Sequence, residues 1–156
     1  MRLQSWLIPL AAAGSAAMLI GVFGFQHLGG LAPCKMCLWQ RWPHAAAIAV
    51  GGLVLILGPL ALLGLAGALA ALTTAGLGVY HTGVERKWWE GPQGCTGDAG
   101  SLSGMSGSDL LSLDEPVAIV MCDEVAWAFG GFSMASWNAF ISLALAALWF
   151  RSLRTD

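Results

Sequence analysis

The chain has 156 residues, enough for one domain, of which 57% are hydrophobic and 10% charged, with a formal net charge of −2. Soluble domains carry roughly 25% charge, so this composition excludes an ordinary water-facing surface. It also lacks the basic block of a nucleic-acid binder, and no nucleic-acid partner is expected.

Residues 3–25 are uncharged and long enough for a first membrane span. Arg2, an apolar stretch and the small residues Ala11-Ala12-Ala13-Gly14 imitate a cleavable signal peptide. The apolar run continues to Phe25, however, which is longer than a signal core, so an uncleaved span is expected. Residues 26–41 form a short loop holding Pro33-Cys34-Lys35-Met36-Cys37.

Residues 42–80 then contain no Asp, Glu, Lys or Arg. As one helix they would measure nearly 60 Å at about 1.5 Å per residue. A bilayer core is only about 30 Å thick, so the run must turn back once. Gly58-Pro59, near its middle, is the turn signal. Two spans result, 42–57 and 60–80.

A long second loop, 81–133, carries Cys95, Cys122 and every acidic residue except Asp156. Residues 101–108 are mostly Ser and Gly, a composition of mobile linkers. Residues 110–121 are apolar again but too short to span. They read as a short helix lying on the membrane surface, broken near Pro116, or as a loop packed back on the bundle. The last span, 134–150, is stopped by Arg151 and Arg154, with Trp137 and Trp149 as expected interfacial anchors. Small residues at Ala13, Ala17 and Gly21, and at Gly64, Ala68 and Leu72, suggest where helices approach closely. The fold class is therefore an all-α membrane protein, a four-transmembrane-helix bundle with a short surface helix in its second outer loop.

Four spans put both termini on one side and all four cysteines on the other. Positive charges nearly balance between the sides: Arg2, Arg151 and Arg154 against Lys35, Arg41, Arg86 and Lys87. Disulfides persist in oxidising compartments such as the bacterial periplasm. The termini are accordingly expected in the cytoplasm and the loops outside.

Cys34-Lys35-Met36-Cys37 admits three chemistries. Zinc needs two further ligands at matching spacing, and Cys95 and Cys122 lie far apart in sequence. Haem attachment needs His directly after the second Cys, and Leu38 stands there. A redox dithiol remains, beside a structural bridge that would close too small a loop to restrain much chain entropy. Cys37 lies where a span begins, so a helix N-terminus favours its thiolate. Arg41 and His44 follow at helical spacing and share its face. Arg41 reads as an interfacial anchor, or as a charge holding a thiolate or a reduced quinone oxygen. Cys95 and Cys122 read as a loop staple, or as a labile pair open to exchange with another protein, the latter favoured by the Gly-rich setting of Cys95.

With these residues in hand, the sequence resembles the bacterial disulfide-bond formation protein B (DsbB) family over nearly its whole length. The resemblance is carried by Pro-Cys-Lys-Met-Cys-Leu-Trp-Gln-Arg at 33–41, by Cys95 and Cys122, and by Ser-Met-Ala-Ser-Trp-Asn at 133–138. It implies an enzyme of the inner membrane that reoxidises a periplasmic, DsbA-like thioredoxin-fold oxidase and reduces a quinone, ubiquinone or menaquinone. It also implies Cys34 and Cys37 as the quinone-facing pair, with Cys37 nearer the quinone, Arg41 and His81 beside the quinone, and Cys95 as the sulfur that joins the partner. Lys35 and Met36 depart from the apolar pair expected between the two cysteines. Such partners are strong oxidants near about −120 mV. A structural disulfide below about −300 mV would lie roughly 8 kcal/mol uphill of that task, so an external electron sink is required. A quinone reductase resembling the vitamin K epoxide reductase family is a rival, but there the Cys-x-x-Cys pair comes late in the chain. A membrane scaffold braced by disulfides is the non-enzymatic alternative.

Overall fold

The computed structural model describes residues 4–92 and 121–153. Cys95, the Ser/Gly stretch and, except for Met121, the expected surface helix lie outside them. Among the described residues four helices form: α1 (Gln4–His27), α2 (Lys35–Leu57), α3 (Ala61–Glu85) and α4 (Met134–Leu153). A minimal antiparallel hairpin, β1 (Ala128–Phe129) and β2 (Phe132–Ser133), leads into α4.

Local chemistry sets the breaks. Gly58 ends α2 at φ +85°, a conformation that side chains resist, and its N–H bonds the Val54 carbonyl. Pro59 then prevents continuation, so the expected turn falls where the sequence places it. At its other end α2 begins at Lys35, ahead of the apolar segment that starts at Trp42, because Cys34 acts as the N-cap. Its Sγ accepts the Cys37 N–H at 3.2 Å. Helix α3 likewise continues past Tyr80 to Glu85, which makes His81 helical.

The helices close a ring in chain order, α1 on α2, α2 on α3, α3 on α4 and α4 on α1, with the α3–α4 seam the most extensive. Large apolar side chains point outward: Leu55, Ile56 and Leu62 are all more than 70% exposed. Small and polar residues point inward, among them Ser15, Thr74, Ser136 and Ser142. This inversion suits a hydrocarbon surrounding. Over Trp6–His27 and Ala61–Glu85 the helices are long and apolar enough to cross a membrane.

Two details of packing differ from the sequence reading. Trp149 is fully buried rather than interfacial, because Gly67 leaves the space its indole fills. A Cβ at Gly67 would stand 2.5 Å from that ring. On α1 the stripe Ala13, Ala17, Gly21 faces outward, and the packed face is Ile8, Ala11 and Ser15. On α3 Gly64 and Ala68 do lie in the seam, but Ala71 and Ala75, not Leu72, continue it.

One apolar cluster, built on Ile8, Val54, Leu145 and Trp149, fills the bundle toward the α2–α3 turn. A second, of Cys34, Met36, Val84 and Cys122, fills the opposite end. The chemistry gathers on the second.

Candidate active site at the sulfur cluster

Cys34 and Cys37 stand with their sulfurs 2.7 Å apart, Cys34 donating toward Cys37. Met36, between them in sequence, is buried in the sulfur cluster, while Lys35 turns outward over the Trp39 ring. Cys122 packs in the same cluster and is fully buried, so a sulfur of the second loop sits against the first pair. Asp123, the next residue, pairs with Lys87 and ties this segment to the end of α3.

Four helical residues that sequence spacing alone does not connect make one hydrogen-bonded chain behind the sulfurs. Asn138 on α4 donates through Nδ2 to the Thr74 carbonyl at 3.2 Å and to Gln40 Oε1 at 2.7 Å. A backbone carbonyl only accepts, which fixes the orientation of the Asn138 amide. The Gln40 oxygen is thereby committed, so its Nε2 donates to His81 Nδ1 at 2.9 Å. The hydrogen of the neutral His81 ring must then lie on Nε2, which faces Cys34 Sγ at 3.6 Å. At the other end, His44 Nε2 donates to Asn138 Oδ1 at 2.9 Å. The donors run one way: His44, Asn138, Gln40, His81, Cys34, Cys37. Aligned dipoles of this kind reinforce one another in a low-dielectric interior.

The chain terminates on the Cys37 sulfur, where negative charge is best placed. Cys37 lies in the first turn of α2, ahead of the apolar segment. Its thiol is lowered from the ordinary 9.0 to about 7, chiefly by the hydrogen bond from Cys34, with help from the Arg41 charge and against burial and Glu85. Cys34 is pushed the other way by that same hydrogen bond and by burial.

A cavity opens in front of these groups. Cys37, Gln40, Arg41 and His44 line it from α2, His81 and Glu85 from α3, and Ala135 and Asn138 from α4. From α1 the lining is apolar, Met18, Leu19, Val22 and Phe25, and the segment ahead of α4 adds Met121, Glu124, Ala126 and Trp127. Two buried polar atoms on this lining, Arg41 Nε and His44 Nδ1, have no hydrogen-bond partner among the described residues. The Arg41 guanidinium stacks on the Phe23 ring at 4.8 Å. Ser133 donates to Glu85 and contacts Ser136 at 3.1 Å, holding the start of α4 to the end of α3.

The structure thus brings together Cys34, Cys37, Arg41, His81 and Cys122. Gln40, Thr74, Glu85 and Asn138 join them; Gln40 and Asn138 stand within the motifs at 33–41 and 133–138 but had been given no role. For Thr74 and Asn138 the available signal was polarity inside otherwise apolar segments, whereas Gln40 and Glu85 fell in stretches read as loops. Cys34, Cys37 and His81 offer ligand atoms within 4.8 Å of one another, a set that zinc accepts elsewhere. Here the hydrogen of His81, not its lone pair, faces the sulfurs, and the arrangement serves a thiolate better than a metal.

The family model "Disulfide bond formation protein DsbB" matches residues 4–151. Curated relatives named disulfide bond formation protein B are similar across most of the chain. The protein of Albidiferax ferrireducens is 30% identical over 86% of this chain and 84% of its own. That of Pasteurella multocida is 34% identical over 79% and 71%. Disulfide bond formation protein B 2 of Pseudomonas aeruginosa is 33% identical over 89% and 86%. No solved structure matches.

Proposed function

Since the chain belongs to the DsbB family of disulfide bond formation proteins, we propose that it reoxidises a periplasmic, DsbA-like thioredoxin-fold oxidase and delivers the electrons to membrane quinone. The observation that carries this reading is the position of Cys37. Its lowered thiol lines a cavity to which α1 contributes only apolar side chains. The outward-facing apolar surface of the bundle supports four spans, near 3–25, 42–57, 60–80 and 134–150. The inner membrane, with both termini cytoplasmic and both cysteine loops periplasmic, is the arrangement that gives these sulfurs an oxidising compartment.

In this scheme the partner's thiolate attacks Cys95 of a Cys95–Cys122 disulfide and frees Cys122. The partner's second thiol then resolves the mixed disulfide, leaving the partner oxidised and Cys95 and Cys122 reduced. Cys122, packed against Cys34, attacks the Cys34 sulfur of the Cys34–Cys37 disulfide. The group expelled is Cys37, whose thiolate the Arg41 charge and the N-terminus of α2 favour. Cys95 then re-forms its bond with Cys122 and releases Cys34, so the pair of electrons rests on Cys34 and Cys37.

The cavity suits a quinone ring: α1 lines it with apolar side chains, and α2 presents the Arg41 guanidinium and His44 Nδ1, with Arg41 Nε and that His44 nitrogen unpartnered among the described residues. When bound, a quinone supplies the electron sink, taking two electrons and two protons as two S–H bonds give way to one S–S bond. Arg41 holds charge beside Cys37, and His81, oriented by Gln40, keeps its N–H on Cys34.

Anaerobic titration of the purified protein with a short-chain quinone and a reduced thioredoxin-fold dithiol tests the reading. Oxidation of the dithiol should require the quinone, and Cys34→Ala or Cys37→Ala should abolish it. Retained turnover in either variant refutes the relay.

A further inference from the structure

We propose that His44 is a contact selective for the reduced quinol: its Nδ1 accepts a hydrogen bond from a hydroxyl that only the reduced ring possesses. The inference rests on the quinone reading above and adds a residue to it. His44 is 3% exposed, borders the cavity, and leaves Nδ1 without a partner among the described residues. A buried polar atom without a partner in a native interior calls for a ligand or a water. Its Nε2 is already committed to Asn138 Oδ1. The Asn138 amide cannot rotate to release it without losing both the Thr74 carbonyl and the Gln40 oxygen.

The consequence is a fixed tautomer. With the ring hydrogen held on Nε2, Nδ1 keeps its lone pair and can only accept. A hydroxyl satisfies that lone pair, whereas a carbonyl oxygen set against it is repelled. Asn138, held by the Gln40 oxygen and the Thr74 carbonyl, is a positioning residue in this respect, since it fixes the His44 hydrogen on Nε2. Cys37 and His44 lie two helical turns apart on one face of α2, so the thiolate and the acceptor occupy different depths of the same cavity. Preferring the reduced ring in the site makes the bound couple a stronger oxidant of the sulfurs beside it. A tenfold preference corresponds to about 30 mV for a two-electron couple.

The test measures binding of both ring forms to the full chain in lipid nanodiscs, with a short-chain benzoquinone and its quinol as probes. In His44→Leu the quinol Kd should rise about tenfold while the quinone Kd changes less than about threefold, the scale of one lost hydrogen bond. His44→Gln, which retains an acceptor oxygen, should keep most of the preference. In the wild-type protein labelled with 15N-histidine, the Nδ1 resonance of His44 should move on adding quinol and stay in place on adding quinone. This readout needs no variant and decides the matter if His44→Leu does not fold. Equal weakening of both ring forms in His44→Leu, or an Nδ1 resonance indifferent to which form is bound, overturns the proposal while leaving the quinone site standing. Failure of the wild-type protein to bind either form overturns the quinone reading itself, and this inference with it.

Discussion

Replacing Gly78 by alanine should loosen the α3–α4 seam where it supports the site. A Cβ at Gly78 would stand 2.9 Å from the Ala139 nitrogen and 3.0 Å from the Ala135 carbonyl oxygen, where ordinary contact begins at 3.4 Å. Both neighbours are backbone, so no rotamer change relieves the overlap and the helices must part by several tenths of an ångström. Overpacking of this kind costs about 1–3 kcal/mol. Alanine also favours a helix over glycine by up to about 1 kcal/mol, which must be subtracted. Gly76, two residues earlier, provides the reference, because a Cβ there meets nothing within 4 Å. The difference between Gly78→Ala and Gly76→Ala isolates the clash. At about 2–4 °C per kcal/mol for a chain of this size, Gly78→Ala should melt roughly 3–10 °C below Gly76→Ala in the same detergent. Ala139 adjoins Asn138, so quinone-dependent turnover should fall as well. Melting temperatures within a degree of each other would refute the close approach of the two helices.

Arg41→Ala should raise the apparent KM for quinone about tenfold or more, the loss of a charge-assisted hydrogen bond worth about 1.5–3 kcal/mol, while Cys34 and Cys37 still form their disulfide. Unchanged quinone kinetics would assign Arg41 to its stacking on Phe23. For Cys37, alkylation of the reduced protein should be half-maximal near pH 7 rather than 9.0. The sign follows from a lowered acid: the folded state holds the thiolate preferentially, a contribution complete above pH 9 and lost as pH falls through about 7. Cys34→Ala removes the first cause of the shift, so the midpoint should move upward. A midpoint near 9 in the parent protein, or no movement in the variant, contradicts the hydrogen-bonded pair.

Much of the frame was legible because it depends on short-range chemistry. Gly58-Pro59 stops one helix and starts the next through backbone geometry alone. The spacing of Cys37, Arg41 and His44 places them on one face whatever surrounds them. The link from His44 to His81 was not legible, since it runs through Asn138 on a helix nearly a hundred residues away. Helical periodicity orders residues within one element and is silent about which element they meet. Trp149 and the α1 stripe show the same limit: indole and alanine each fit two environments, and Gly67 and the neighbouring helices decide between them.

The cavity is asymmetric in a way that bears on how a ligand would lie. Among the four helices, the hydrogen-bonding side chains that line it come from α2, α3 and α4, whereas α1 contributes Met18, Leu19, Val22 and Phe25, which hold nothing by hydrogen bonds; Glu124 and Trp127 line it from the segment ahead of α4. On the quinone reading proposed above, a flat ring in this cavity would find its hydrogen-bonding partners among α2, α3 and α4, and a chain attached to the ring would meet only apolar side chains on α1.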